Sequence, residues 1–155
     1  SLREEPAEST EPGSKVLQAP LFGLCSASTN QWTAGALGFF PNPCNTEDTF
    51  NQIPSANFRT PVLEEDMYIN GPIAADIWIT SSAREAALSV RISSFDPATG
   101  RSQAISNGLL TASHRAVDDK KSRFMNGLRI QPWHPFTKSA VLPVVGIVSL
   151  VIIIL

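Results

Sequence analysis

Apolar and polar positions alternate with a period of two along "PIAADIWIT", where Ala75, Ile77 and Ile79 fall on one face and Asp76 and Trp78 on the other. Successive strand side chains point to opposite sides, so this stretch predicts a strand with one buried face. "ALSVRISSF" repeats the pattern, with Leu88, Val90 and Ile92 on one side and Ser89, Arg91 and Ser93 on the other. The "DPATG" that follows has the proline and glycine that suit a tight connection. The run "RSQAISNGLLTASHRA" then predicts another strand, a turn at Asn107–Gly108 and a further strand, so that residues 73–116 read as a meander. Short strands at this spacing predict a sandwich, jelly roll or barrel rather than a helical bundle.

The two ends depart from this period. "SLREEPAESTEPGSK" is polar, acidic and proline-containing, which predicts a linker or tail over residues 1–19. It begins without Met and has no apolar signal-peptide core, so the expectation is a chain cut out of something longer. Residues 20–54 read as a loop-rich connection, 55–144 as the β domain and 145–155 as an apolar tail. From Val144 onward the chain carries no charge. That run is shorter than the ~20 apolar residues of a membrane helix, and Pro143 would break a helix extended backwards. Three readings of it stand: a buried strand with partners beyond the end of the chain, a membrane-associated tail, or residues foreign to the domain. Membrane contact is the less favoured, because Val and Ile suit a strand.

Composition narrows the function classes. A chain of 155 residues fits one domain, and 43% hydrophobic residues with a net charge of -2 exclude wholesale disorder and a basic nucleic-acid footprint. With 12 Pro and 9 Gly, turns should outnumber long helices, which again points to an all-β fold. Cys25 and Cys44 bracket a loop-like stretch rich in Gly, Pro, Asn and Ser. A disulfide between them would contribute roughly 3 kcal/mol and would place the chain in an oxidising, extracytoplasmic compartment; the alternative is a pair of buried thiols. No Cys-x-x-Cys is present and His114 and His134 lie far from both cysteines, which speaks against zinc.

Catalytic signatures are absent as sequence patterns. There is no Gly-x-Ser-x-Gly elbow, no Gly-rich phosphate loop and no His-Glu-x-x-His, so no nucleophile, cofactor or metal is expected on this chain. A triad assembled from any serine, His114 or His134 and an aspartate carries no weight among so many serines. Glu64, Glu65 and Asp66 are consecutive, so their carboxylates splay to opposite sides and read as a solvated strand entrance rather than an acid/base pair. Trp32, Trp78 and Trp133 read as core or interface residues before they read as a sugar-stacking platform.

The ordered set "TPVLEEDMYINGP", "ADIWITSSA", the "DP…G" turn, "NGLLTASHR" and "RIQPWHPF" resembles the C-terminal β domain of the cocaine esterase and NonD-type serine hydrolases. X-prolyl dipeptidyl-peptidases and α-amino-acid ester hydrolases belong to the same family. The resemblance covers residues 55–144, and "CSASTNQWTAG" and "PCN" extend it back to about Pro20. It implies a galactose-binding-like jelly roll packed against an upstream α/β-hydrolase domain that carries the Ser-Asp-His triad. None of those triad residues has a matching position here, so the implied role is that of a non-catalytic accessory domain. In that setting His134, fenced by Pro132 and Pro135, is expected to be structural. Each proline steers the preceding residue to extended geometry, and the imidazole is expected to bond backbone while Trp133 buries against a neighbour. Trp78, Trp133 and His134 are thus the structural or domain-interface candidates. After "VLPV" the family continues through further strands whereas this chain runs into "VGIVSLVIIIL", so a jelly roll incomplete at its C-terminal end is expected. Two other readings remain beside the accessory domain: a free-standing carbohydrate-binding module, and an autonomous esterase or peptidase.

Overall fold

In the computed structural model the described residues are 13–17, 33–36, 47 and 49–154. Cys25, Cys44 and Trp32, and with them the disulfide expectation, lie outside the described residues. Apart from one helical turn, α1 (Thr49–Gln52), and two short 3-10 turns, the regular elements among the described residues are strands, as the alternation predicts. They are β1 (Ile73–Ile79), β2 (Ala87–Asp96), β3 (Arg101–Thr111), β4 (Arg123–Met125), β5 (Leu128–Gln131) and β6 (Val148–Ile154). β1 pairs with β6, β2 with β3 and β4 with β5, giving three two-stranded sheets.

The chain divides into two compact units, one formed from residues 1–67 with 93–105 and the other from 68–92 with 106–155. In the first, the Ser102 amide donates to Thr49 Oγ1 at 3.1 Å, Arg101 pairs with Glu47 at 3.4 Å, and the Arg59 guanidinium lies 3.6 Å from the Phe95 ring centroid. Asp96 closes the β2–β3 connection. Its Oδ1 accepts the Ala98 amide at 2.9 Å, its Oδ2 accepts the Thr99 hydroxyl at 2.6 Å, and Gly100 takes φ +68. The Thr99 hydroxyl bond, with the Ala98 amide, holds the Asp96 carboxyl below its ordinary pKa.

Among the described residues, the buried apolar clusters lie in the second unit. β1 buries its alternate residues Ile73, Ala75, Ile77 and Ile79 more deeply than the residues between them, in the predicted register. Leu110, Leu150 and Ile152 form one buried cluster, with Ile77, Ile79, Leu88 and Val90 packed on it. Ala112, Val144 and Val148 form another against Ile79, Ala86 and Leu88.

Two expectations need correction. Asn107–Gly108 is not a turn: β3 runs unbroken from Arg101 to Thr111, and neither residue has a positive φ. The type I′ turn that Asn-Gly favours requires positive φ at both central positions, whereas here Gly108 and Leu110 are buried on a strand paired along β2. Burial of that face outweighs the local turn preference. The apolar end, in turn, finds its partner upstream rather than beyond the chain, because β6 pairs antiparallel with β1, from Ile79 opposite Val148 to Ile73 opposite Ile154. Its Val148, Leu150, Val151, Ile152 and Ile154 are all buried while Ser149 is exposed, so the apolar run here is a strand seated in the core. No helix among the described residues is long and apolar enough to cross a membrane.

Candidate functional site

Pro132 and Pro135 flank Trp133 and His134, which lie outside helix and strand and bond the turn at 116–122. The Asp118 amide donates to Trp133 O and the Trp133 amide donates to Ser122 Oγ, both at 2.9 Å. His134 Nδ1 lies 3.0 Å from Ala116 O. A carbonyl only accepts, so Nδ1 carries the proton in this bond and the imidazole is fixed in orientation by backbone. Trp133, in contrast, is not buried: 51% of it is exposed, with Lys121 Nζ 5.7 Å from its ring centroid. The segment ends at Phe136, a non-glycine residue at φ +49 whose ring lies 5.7 Å from both His114 and His134. Left-handed backbone at an aromatic residue costs about 1–2 kcal/mol, which this packing must offset.

A second polar cluster brings together a serine, a histidine and a carboxylate. Ser113, in the 3-10 turn after β3, is 3% exposed, and its amide donates to Glu85 Oε1 at 3.0 Å. Its hydroxyl lies 3.3 Å from His114 Nδ1 and also bonds Glu85. The order is wrong for nucleophilic catalysis, in which the histidine stands between serine and acid. Here the acid binds the serine, and the buried hydroxyl offers no approach to a substrate carbonyl. The cluster instead ties the turn after β3 to the segment before β2: Glu85 Oε1 also accepts the Ala86 amide at 2.9 Å, and the Ala112 amide donates to Ala86 O at 2.7 Å.

The Ser113 side-chain bond, with the amide bonds of Ser113 and Ala86, holds Glu85 below its ordinary pKa of 4.5, against the opposing effect of burial. A depressed folded-state pKa contributes stability above the unfolded value, and that contribution is lost as pH falls through the folded one. Removing it with Glu85→Gln should therefore flatten the acid limb of a stability profile below pH 4.5. At this solvent-facing carboxylate the loss at neutral pH should stay under about 1 kcal/mol. Urea melts of the two proteins across that range measure it; parallel acid limbs would refute the assignment.

Exposed apolar side chains distinguish the third feature. Two hollows of about 290 and 350 Å³ share Leu109, Leu110 and Phe136 as lining residues. Leu109 is 72% exposed and Phe136 64%, while Asn107 and His134 add polar groups to the first hollow. An apolar, concave surface of this kind is suited to another protein surface or an apolar group.

Of the residues singled out in the sequence, His134 reaches this surface, whereas Trp78 lies on the outer face of β1 opposite Ser149 and is 39% exposed. Glu64, Glu65 and Asp66 are exposed, as a solvated stretch requires, and no group of three or more metal-ligating side chains occurs among the described residues. Phe136, Leu109, Glu85 and Ser113 were not anticipated. The first sits inside "QPWHPF" and could have been read with its neighbours; a lone glutamate in a turn, like Glu85, gives no local signal. No curated protein and no solved structure matches the chain. A family model does, over residues 2–144, which include every element described above except β6. Its description agrees with the part-buried serine–histidine contact at Ser113 and His114, whose serine is tied to Glu85: the chain belongs to the family of X-Pro dipeptidyl-peptidase C-terminal non-catalytic domains.

Proposed function

We propose that this chain is the accessory β part of an α/β serine hydrolase, and that the apolar surface around Leu109 and Phe136 is where the catalytic domain packs. Ester or X-prolyl dipeptide hydrolysis then belongs to that other domain, which supplies the nucleophile, base and acid. The observation that carries the reading is the pair of large apolar side chains left exposed beside a hollow, on a chain whose family is non-catalytic. Interfaces are centred on such residues, and aromatic anchors contribute most.

The test is calorimetric titration of the full chain with a separately produced α/β-hydrolase domain of an X-Pro dipeptidyl-peptidase, alongside a fluorescence titration with polysaccharides. Saturable binding to the hydrolase domain, weakened about tenfold or more by Phe136→Asp, supports the proposal. Saturable quenching by a polysaccharide with no hydrolase binding would replace it with a carbohydrate-binding module.

A further inference from the structure

The dipeptide Asn-Gly occurs three times, at Asn70–Gly71, Asn107–Gly108 and Asn126–Gly127, and the structure places the three in different settings. Asparagine followed by glycine can react with itself. The backbone nitrogen of the glycine attacks the asparagine Cγ, forming a C–N bond and a five-membered imide. The Cγ–Nδ2 bond breaks, and the amide proton leaves with Nδ2 as ammonia. Water then adds to either imide carbonyl, giving aspartate or its isomer with the main chain routed through Cβ. The step needs a free carboxamide, a glycine nitrogen outside a hydrogen-bond ladder, and backbone that can bend to bring the two together.

Asn126 and Gly127 form the two-residue connection between β4 and β5, with Met125 opposite Leu128. Their φ values of +53 and +80 belong to the hairpin turn in which only the outer residues share hydrogen bonds. Both residues are exposed, and beyond its two chain neighbours no residue comes within 4 Å of where a Cβ on Gly127 would stand. Asn107–Gly108 shares the chemistry but lies within β3, with Gly108 buried.

We infer that Asn126–Gly127 is a self-modification site, converting spontaneously to aspartyl and isoaspartyl forms, while the strand protects the identical pair at 107–108. Asn70–Gly71, exposed ahead of β1 with Gly71 at φ +97, meets the same conditions and acts as a second reporter. Conversion has a structural consequence. The isoaspartyl form adds one carbon to the main chain of a two-residue turn, which can no longer set Met125 opposite Leu128.

Trypsin places the three pairs on separate peptides: 60–84, 102–115 and 124–129. The folded full chain is aged in mildly alkaline water labelled with heavy oxygen, digested, and compared with protein aged in urea. The expected result is ammonia loss with uptake of one labelled oxygen in peptide 124–129, at least about tenfold faster than in 102–115, and similar rates for all three in urea. The inference fails if peptide 124–129 keeps its mass in the folded protein while converting in urea. It fails equally if 102–115 converts as fast as 124–129 without denaturant.

Discussion

Leu150→Ala should remove about 3 kcal/mol of stability, within the 2–5 range for truncating a fully buried leucine. Leu150 is 2% exposed, lies opposite Ile77 across the β1–β6 pair, and contributes to the cluster with Leu110 and Ile152. Truncation removes the transfer free energy of the lost methyl groups and leaves a space that two paired strands cannot close without moving their backbones. Ile147→Ala is the matched control, because Ile147 is 57% exposed only three residues earlier, and its loss should stay within about 0.5 kcal/mol. Urea unfolding followed by tryptophan fluorescence reads both. Equal, small effects would mean that the apolar end takes no part in the core. The question matters because the family match ends at residue 144, before β6, whereas the core of the second unit is built largely from β6 side chains. Ile152→Ala should be similar in size but not additive with Leu150→Ala, since the two share neighbours.

The strands that alternate were legible in advance, and those that do not were not. β1 has one half-buried and one solvated face and β2 opens with the same alternation, so the sequence itself carries the period. β6 is apolar at every position but Ser149 and so has little period to read; "VSLVIII" leaves a strand, a membrane-associated tail and foreign residues all open until a partner is found. Asn107–Gly108 shows the converse, a strong local turn signal overruled by a strand that buries Gly108 and Leu110. In "QPWHPF" proline restricts backbone locally, so an extended course was the expectation from the residues, but whether Trp133 is covered depends on neighbours far along the chain. Glu85 and Ser113 are separated by 28 positions, and nothing in either neighbourhood announces the other.

Arg115→Ala should cost about 2 kcal/mol, chiefly by releasing the segment that leads into β6. Arg115 follows the 3-10 turn after β3, and its Nη1 donates to Ala112 O at 3.0 Å and to Leu142 O, while Nη2 donates to Pro143 O at 3.3 Å. These bonds act together with two backbone ones, Leu142 N–H to Ser113 O at 2.8 Å and Val144 N–H to Arg84 O at 2.9 Å. The guanidinium thus holds residues 142–144 against the turn, which seats Val144 in its buried cluster. A charged donor to a carbonyl contributes more than a neutral one, but the bonds to Leu142 and Pro143 are solvent-exposed, so water offsets part of their loss. Arg115→Lys should recover only a fraction, because an ammonium cannot present two separated donor nitrogens to three carbonyls. Since the partners are neutral carbonyls, added salt should change the loss little, unlike that of an ion pair. Hydrogen exchange gives the local readout. The Leu142 and Val144 amides should exchange faster in Arg115→Ala, while amides of the β4–β5 hairpin are unchanged. Uniform acceleration across both would mean that Arg115 acts on global stability rather than on this clamp.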